Sequence, residues 1–257
     1  MPQTLPSQPD GRASIRAYGP FASVQDQIEL FNERHGHPYA LLRETVTCAA
    51  RPHDSVLDIG CGRTAPMLRQ LADKVARCTG VDIVPFDEPA PGLTLINADV
   101  AAMPQVPDGS VDIAYSRSVM EHLADPQAAL REVHRVLKPG GRYIFLTPNK
   151  WDYASVASRL IPDRWHPKLV RWVSGRPEAD TFPTHYRANT CADLRALAAA
   201  TGFTVERMSY HGQYPAYLKF NPLMFWLGCR YEALLSGIPA LSRFQGWIFA
   251  DWRKADA

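Results

Sequence analysis

The residues with the clearest chemical meaning are one acid and two glycines that close an apolar run. Residues 55–62 read Ser-Val-Leu-Asp-Ile-Gly-Cys-Gly, with Asp58 two positions before Gly60. The apolar positions suit a strand buried on both faces, and Gly60 and Gly62 allow a sharp turn that lies close to a ligand. The sequence therefore predicts the first strand of an α/β domain and a ligand-binding loop. A helix from residue 65 to about 74 should point its N-terminal amides into this loop.

Two classes of cofactor use a loop of this kind. Gly60-x-Gly62-x-x-Ala65 also fits the G-x-G-x-x-G/A fingerprint of dinucleotide-binding folds. A carboxylate at Asp58 would repel a pyrophosphate and attract an ammonium or sulfonium group. Asp58 therefore favours S-adenosylmethionine over NAD, and an NAD-dependent oxidoreductase is the less favoured alternative.

Residues 56–62 resemble motif I of the class I S-adenosylmethionine-dependent methyltransferases, and the resemblance extends from about residue 54 to residue 149. It implies a seven-stranded Rossmann-like sheet. In that family the acid after strand 2 binds the ribose hydroxyls, a position held here by Asp82. The acid after strand 3 receives the adenine amino group and the next residue meets the ring, positions held by Asp99 and Val100. The cofactor-binding residues implied by the resemblance are Asp58, Gly60, Cys61, Gly62, Asp82, Ile83, Asp99, Val100 and Ser116.

Later segments follow the order of the same family. Residues 108–116 are similar to its strand 4, and the resemblance implies that Ser116 and Arg117 flank the methionine end of the cofactor. Asp125 is a good N-cap for the helix that should follow. Residues 142–147 predict strand 5, after a Lys-Pro-Gly-Gly turn that is frequent in the family.

Histidines near these motifs are the candidates for catalysis. Methyl transfer to a hydroxyl group needs alignment and a base, and imidazole suits proton removal at neutral pH. His122 is the leading base, because its Glu-His-Leu segment resembles that of small-molecule O-methyltransferases of the superfamily. His185 is the second candidate and His166 the third. Glu121 is expected to orient His122, to bind the cofactor's ammonium group or to be a solvated acid.

The chain has 257 residues and is predicted to form a single methyltransferase domain over residues 20–257, after a flexible tail at residues 1–19. The core should cover about residues 54–220. A lid or insertion at about 150–189 combines aromatic and cationic side chains that suit selection of the acceptor. Apolar helices are expected at about 221–252.

Hydrophobic periodicity and turn residues predict the elements around the motifs. Amphipathic helices should cover residues 23–34 and 38–50, and in the family such helices often cover the cofactor. A helix over 190–201 should lead into residues 202–208, which resemble strand 6 of the family. The resemblance also implies a last strand near 215–220, which would complete the sheet as an antiparallel hairpin with strand 6.

The C-terminal segment, residues 220–252, is apolar at helical spacing and has cations nearby. We expect these helices to pack on the core or across a dimer. Peripheral contact with a bilayer, or with a lipid-linked acceptor, is the alternative.

Composition narrows the function further. The formal net charge is +2 and no basic stripe is present, so no nucleic-acid partner is expected. The five cysteines lack zinc spacing and predict neither a metal site nor a disulfide framework, which favours a cytoplasmic protein. Membrane association through the C-terminal helices is the alternative location. The expected function is methylation of a small-molecule, sugar or lipid-like acceptor, mainly on oxygen. A cofactor-binding but catalytically silent protein, and methylation on nitrogen or carbon, are the alternatives.

Overall fold

A seven-stranded sheet forms the centre of the protein. The computed structural model describes residues 19–20, 22–87, 91–160 and 182–255. The strands are β1 (Ser55–Ile59), β2 (Arg77–Asp82), β3 (Leu93–Asn97), β4 (Val111–Arg117), β5 (Leu137–Pro148), β6 (Phe203–His211) and β7 (Trp247–Lys254). Their order in the sheet is β3-β2-β1-β4-β5-β7-β6. Strand β7 is antiparallel to β5 and β6, and the four other pairings are parallel.

Helices cover both faces of this sheet. They are α1 (Val24–His35), α2 (Pro38–Ala49), α3 (Pro66–Arg69), α4 (Pro126–Val136), α5 (Tyr153–Leu160), α6 (Cys191–Ala200) and α7 (Pro222–Gly237). Short 3-10 helices lie at Met120–His122, Ala216–Leu218 and Pro239–Phe244. Helices α2 and α3 contribute to the hydrophobic cluster on one face, and α4 and α6 to the cluster on the other. The fold class predicted from the sequence is confirmed.

Alternation along the strands explains why both faces are covered. In β1, Val56 joins one hydrophobic cluster, whereas Leu57 and Ile59 join the other. Successive side chains of a strand point to opposite faces of the sheet. A central strand whose side chains are apolar on both faces must therefore be covered on both faces. Asp58 is the exception in β1, and it lies at the end of the strand where the ligand-binding loop begins.

The helices predicted around the core are present, and polar side chains cap their first turns. Ser23 accepts a hydrogen bond from the Asp26 amide at the start of α1, and Asp125 does the same for Ala128 in α4. Thr190 caps α6 through the amide of Asp193. Each cap satisfies an amide that has no partner inside the helix, so these boundaries depend on short-range interactions.

The last strand is not where the sequence placed it. Residues 215–220 form a turn with a 3-10 helix instead of a strand, and β7 begins at Trp247. Residues 247–252 are all buried. Residues 247–250 are apolar without interruption, and so short an apolar run has no period that distinguishes a strand from a helix. The sheet therefore extends to Lys254, beyond the expected core limit of residue 220.

The helix expected at residues 65–74 is also shorter than predicted. Helix α3 ends at Arg69, and the amides of Leu71 and Lys74 then bond to carbonyls three residues back. Such bonds form tight turns that do not continue an α-helix. A four-residue helix gives little support to the expected role of its N-terminal amides.

Some predictions lie outside the described residues. These are the N-terminal tail, His166 and most of the insertion. Among the helices that the structure describes, none is long and apolar enough to cross a membrane.

Candidate active site

The glycine loop after β1 has the backbone shape that the sequence predicted. Gly60 and Gly62 both have φ +72°, a conformation that side chains with a Cβ rarely adopt. A Cβ on Gly60 would lie 2.3 Å from Val119 Cγ2, whereas a Cβ on Gly62 would meet no atom within 4 Å. Gly60 is therefore required for packing against the segment after β4, and Gly62 leaves open space for a ligand.

Asp82 connects this loop to the end of β2. Its carboxylate accepts hydrogen bonds from the amide of Gly62 at 2.7 Å and from the amide of Val84 at 3.1 Å. The next side chain, Ile83, is apolar yet 57% exposed. An acid beside an exposed apolar surface is an arrangement suited to a ribose and its attached ring.

Asp99 follows β3 at the same edge of the sheet. Its carboxylate accepts a hydrogen bond from the Ala101 amide at 2.9 Å, and Val100 is buried beside it. Asp82 pairs with Asn97 in the parallel register, so the two acids follow neighbouring strand ends. The structure thus brings the predicted residues of β1, β2 and β3 to one edge.

Asp58 is buried below the glycine loop. The hydroxyl of Tyr115 donates a hydrogen bond of 2.8 Å to its carboxylate. Burial is the main cause that raises the pKa of Asp58 to about 7, and the hydrogen bond from Tyr115 and the charge of Arg117 oppose this rise. A positively charged ligand beside Asp58 would favour its ionised form.

The sequence did not identify the aromatic residues around Asp58. Tyr115 pairs with Asp58 across β1 and β4, a relation that appears only when the strand order is known. The Arg117 guanidinium lies 4.5 Å from the centre of the Tyr39 ring, and Tyr39 makes an edge contact with Trp247 at 5.3 Å. Helix α2 and strand β7 therefore contribute to the wall beside Asp58.

The predicted role of Ser116 needs correction for its side chain. Ser116 is fully buried, and its hydroxyl lies 2.7 Å from the hydroxyl of Tyr143. As the neighbour of Tyr115 in the same strand, it points to the opposite face from Asp58. Only the main chain of Ser116 remains for contact with a ligand at the glycine loop.

His122 lies in the 3-10 helix that begins one residue after Val119, the neighbour of Gly60. Its Nδ1 is 2.9 Å from the carbonyl oxygen of Pro183. A carbonyl oxygen only accepts, so Nδ1 carries the proton and donates it in this hydrogen bond. Burial is the main cause that lowers the pKa of His122. The neutral ring therefore presents Nε2 as an acceptor.

Glu121 is a buried neighbour of this histidine. Its Oε1 lies 3.8 Å from His122 Nε2, and only 5% of its side chain is exposed, so the expectation of a solvated acid is wrong. Burial is also the main cause that raises the pKa of Glu121 to about 7. The Thr147 hydroxyl donates a long hydrogen bond of 3.5 Å to Glu121 Oε2. The same hydroxyl accepts a hydrogen bond from the side-chain amide group of Asn189. Glu121 is thus fixed beside His122.

His185 is close to the same pair. Its amide donates a hydrogen bond of 2.7 Å to the carbonyl oxygen of Glu121, and the charge of His185 contributes to lowering the pKa of His122. Phe182 packs edge-on against the His122 ring at 5.9 Å. The structure therefore brings His122 and His185 together, although 63 positions separate them in the sequence.

The residues present fit S-adenosylmethionine. Buried Asp58 suits a cationic group, and the Asp82 carboxylate with exposed Ile83 suits a ribose and its ring. The space beside Gly62 allows a ligand to lie close to the protein backbone. Within the described ranges, no group of three or more His, Cys, Asp and Glu residues is placed to hold a metal ion.

Comparison with known proteins agrees with this fit. Residues 32–207 match a family described as a methyltransferase domain. A probable S-adenosylmethionine-dependent methyltransferase of Mycolicibacterium smegmatis is 29% identical over 66% of this chain and 58% of its own length. A ubiquinone biosynthesis O-methyltransferase of Pectobacterium carotovorum is 25% identical over 54% of this chain and 68% of its own.

Solved structures support the fold. A S-adenosylmethionine dependent methyltransferase from Mesorhizobium loti superposes with a TM-score of 0.54 at 17% identity, covering 82% of this chain and 97% of that one. The matched regions span 33 to 58% of the lengths of the first three curated relatives. The family match covers more than half of the chain. The chain therefore belongs to the class I S-adenosylmethionine-dependent methyltransferases.

Proposed function

We propose that this protein transfers a methyl group from S-adenosylmethionine to an oxygen atom of a small-molecule, sugar or lipid-like acceptor, with His122 as the base. One observation carries the proposal. The neutral His122 ring donates from Nδ1 to the Pro183 carbonyl oxygen and holds Nε2 as an acceptor beside the Glu121 carboxyl group.

The position of His122 relative to the cofactor residues supports this role. Val119 contacts the site of Gly60, so the 3-10 helix that holds His122 starts directly against the glycine loop. When bound, the cofactor supplies a methyl group on a sulfonium and leaves as a neutral thioether. A base near this loop is therefore suitably placed for an acceptor hydroxyl.

The proton balance assigns complementary roles to His122 and Glu121. As the acceptor oxygen forms its bond to the methyl carbon, its hydroxyl proton passes to His122 Nε2. The imidazolium that results lies 3.8 Å from Glu121 Oε1, and an ionised Glu121 stabilises it. Glu121 is in this proposal a positioning residue and His122 the catalytic one.

A relative named as an O-methyltransferase supports oxygen as the methylated atom. The Pectobacterium protein carries this name at 25% identity. The aromatic residues near the site, Phe182 against His122 and Tyr39 against Trp247, suit an acceptor with a ring or an isoprenoid chain.

The test replaces His122 with glutamine, which keeps a donor for the Pro183 carbonyl but has no basic nitrogen. Release of S-adenosylhomocysteine is measured with a panel of phenols, sugars and prenylated phenols. We expect kcat to fall by about 10²- to 10⁴-fold, while S-adenosylhomocysteine binds with unchanged affinity in calorimetry. The matched control is His53→Gln, because the His53 side chain is 76% exposed.

The pH profile separates a base from a structural residue. Since burial lowers the pKa of His122, the acid limb of kcat that His122 contributes should lie below the ordinary histidine value of about 6.5, apart from any limb that Glu121 contributes near its pKa of about 7. The His122 limb should be absent in His122→Gln. An unchanged profile in the variant would remove His122 as the base, and affinity for the cofactor without turnover of any acceptor would favour a silent binding protein.

A further inference from the structure

Exposed apolar side chains are concentrated on one surface of the protein. Ten of the eleven large hydrophobic residues that the described ranges expose lie in two segments, and Ile83 is the exception. We call these ten residues the α5–α7 patch. They are Trp151, Val156, Tyr217, Phe220, Leu223, Met224, Leu227, Tyr231, Leu234 and Ile238.

The patch is continuous across α5 and α7. The ring of Tyr153 at the start of α5 packs edge-on against Tyr231 of α7, with 5.9 Å between ring centres. Along α7 the exposed apolar residues recur every three or four positions, whereas Phe225 and Leu235 are buried on its inner side. Helix α7 is therefore apolar on two sides, and only the inner side packs on the core. Packing on the core, one of the arrangements expected from the sequence, does not account for this outer side.

Exposure is substantial at the middle of the helix. Leu227 is 46% exposed and Leu234 is 53% exposed. Single exposed apolar residues are ordinary on protein surfaces, but a continuous apolar patch indicates an interaction surface.

The exposed charges that the structure describes along the two patch segments, residues 147–156 and 212–245, are of one sign. Cationic side chains are present at Lys219, Arg230 and Arg243, all exposed. The acids in residues 147–156 and 212–245 are Asp152 and Glu232, and both are buried.

The ionisation of the two acids strengthens this asymmetry. Burial is the main cause that raises the pKa of Asp152 to about 6 and the pKa of Glu232 to about 8. Glu232 is therefore mostly neutral at pH 7, and Asp152 is only 7% exposed.

We propose that the α5–α7 patch docks this protein on an anionic lipid surface. Apolar side chains enter the boundary between headgroups and acyl chains, and the flanking cations meet anionic headgroups. A second copy of the chain fits less well, because a two-fold contact would bring the exposed cations of both copies to one interface without an exposed acid of the two segments to pair with them. Helix α5 follows the carboxyl end of β5, so the docked face lies on the side of the sheet where the glycine loop opens. The proposal does not depend on methyl transfer.

The test is flotation of the full chain with lipid vesicles on a density gradient. The vesicles contain either phosphatidylcholine alone or phosphatidylcholine mixed with phosphatidylglycerol. We expect flotation with the anionic vesicles at low salt, weaker flotation at high salt, and little with the neutral vesicles.

Two double variants address the two parts of the surface. Leu227→Glu with Leu234→Glu removes apolar contact, and Lys219→Glu with Arg230→Glu reverses two charges. Each should lower the fraction bound to anionic vesicles by at least about tenfold. The matched control, Arg43→Glu with Arg131→Glu, makes the same charge change at exposed positions on α2 and α4 and should bind as the wild type does. Circular dichroism confirms that each variant is folded.

Three results would overturn the proposal. The first is wild-type protein that stays at the bottom of the gradient with anionic vesicles at low salt. The second is a control variant that loses binding as strongly as the patch variants. The third is a wild-type dimer in light scattering that becomes a monomer in the leucine variant, together with no flotation of any form of the protein. A second copy of the chain would then cover the patch.

Discussion

Gly60 shows how a single residue joins two parts of the site. Its backbone has φ +72°, and the missing Cβ leaves the space that Val119 occupies. The sequence indicated the backbone requirement, since a glycine after a strand and an acid is typical of a turn near a ligand. The contact with Val119 depends on how β1 and β4 lie beside each other, and the sequence does not reveal it.

The substitution Gly60→Ala should therefore destabilise the protein in two ways. A left-handed backbone costs a residue with a Cβ about 1 to 2 kcal/mol, and overpacking against Val119 adds about 1 to 3 kcal/mol. Gly109→Ala is the matched control, because Gly109 also has a positive φ but no atom lies within 4 Å of its added Cβ. Urea unfolding measures both free energies. Equal losses in the two variants would contradict the close contact with Val119.

The ionisation of Asp58 is linked to folding. Its pKa is about 7 in the folded protein and about 3.9 in an unfolded chain. Between these values the unfolded chain has released the proton and the folded protein still holds it. The contribution of Asp58 to stability is therefore fully present below about pH 4 and is lost as the pH rises through about 7.

Replacement of Asp58 by asparagine removes this dependence. Without cofactor, the stability of Asp58→Asn relative to the wild type should increase between about pH 5 and pH 8, by at most about 1.4 kcal/mol per pH unit. Asparagine still offers an oxygen to the Tyr115 hydroxyl, so the hydrogen bond is retained. Urea unfolding at both pH values gives the comparison. A difference between the two proteins that does not change with pH would contradict a buried, protonated Asp58.

At the scale of elements, β7 is the segment that completes the core. It lies between β5 and β6, and the side chains of Phe249 and Trp252 are fully buried. Strand β6 has no partner other than β7 within the described part of the sheet. The last segment of the chain therefore holds β6, which precedes it by 35 residues, in the sheet.

A chain that ends at residue 246 should not fold. It lacks the strand that β6 pairs with, and β5 loses the partner on one edge. A chain that ends at Ala255 keeps every described strand and is the matched control. Circular dichroism and thermal unfolding distinguish the two. A cooperative transition in the shorter chain would support the core limit of residue 220 that the sequence indicated.

A smaller test of β7 is the substitution of one buried side chain. Trp252 packs against Tyr143, Phe145 and Phe203, so Trp252→Ala opens a large cavity. The expected loss is about 3 to 5 kcal/mol in the free energy of unfolding. A loss below about 1 kcal/mol, measured in urea, would argue against this packing.

At the scale of the whole molecule, helix α2 and strand β7, which are far apart in the sequence, meet at the site. Tyr39 of α2 lies between Arg117 of β4 and Trp247 of β7. The family resemblance predicted that the N-terminal helices cover the cofactor. In the structure, α2 lies beside β4, the strand that contains Tyr115, the partner of Asp58. Binding of a ligand at the glycine loop should therefore reduce local opening of α2.

Hydrogen exchange measures this coupling. On addition of S-adenosylhomocysteine, amides in residues 37–42 and 60–64 should exchange more slowly, because a ligand that binds only the folded state suppresses local opening. Residues 138–142, at the opposite edge of the sheet, should change little. Asp82→Asn is the variant in which the protection should disappear. Protection that is uniform over the chain would contradict a site at this edge.

The sequence by itself determined the features that depend on residues close together in the chain. The acid and glycines of the loop, the cap of α4, and the strand ends at Asp82 and Asp99 belong to this group, because each feature depends on only a few neighbouring positions. His122 was also identified from its local segment.

The tertiary structure decided the contacts between distant segments. The Tyr115 hydroxyl reaches Asp58 across 57 positions, and His122 meets Pro183 across 61. The sequence left open whether Glu121 is a solvated acid, and the structure buries it beside His122. The sequence analysis did not predict β7, because its apolar run has no period that identifies a strand. Whether such a run forms a strand depends on whether the sheet has an unpaired strand beside it. Such contacts depend on strand order and packing, which local sequence patterns do not encode.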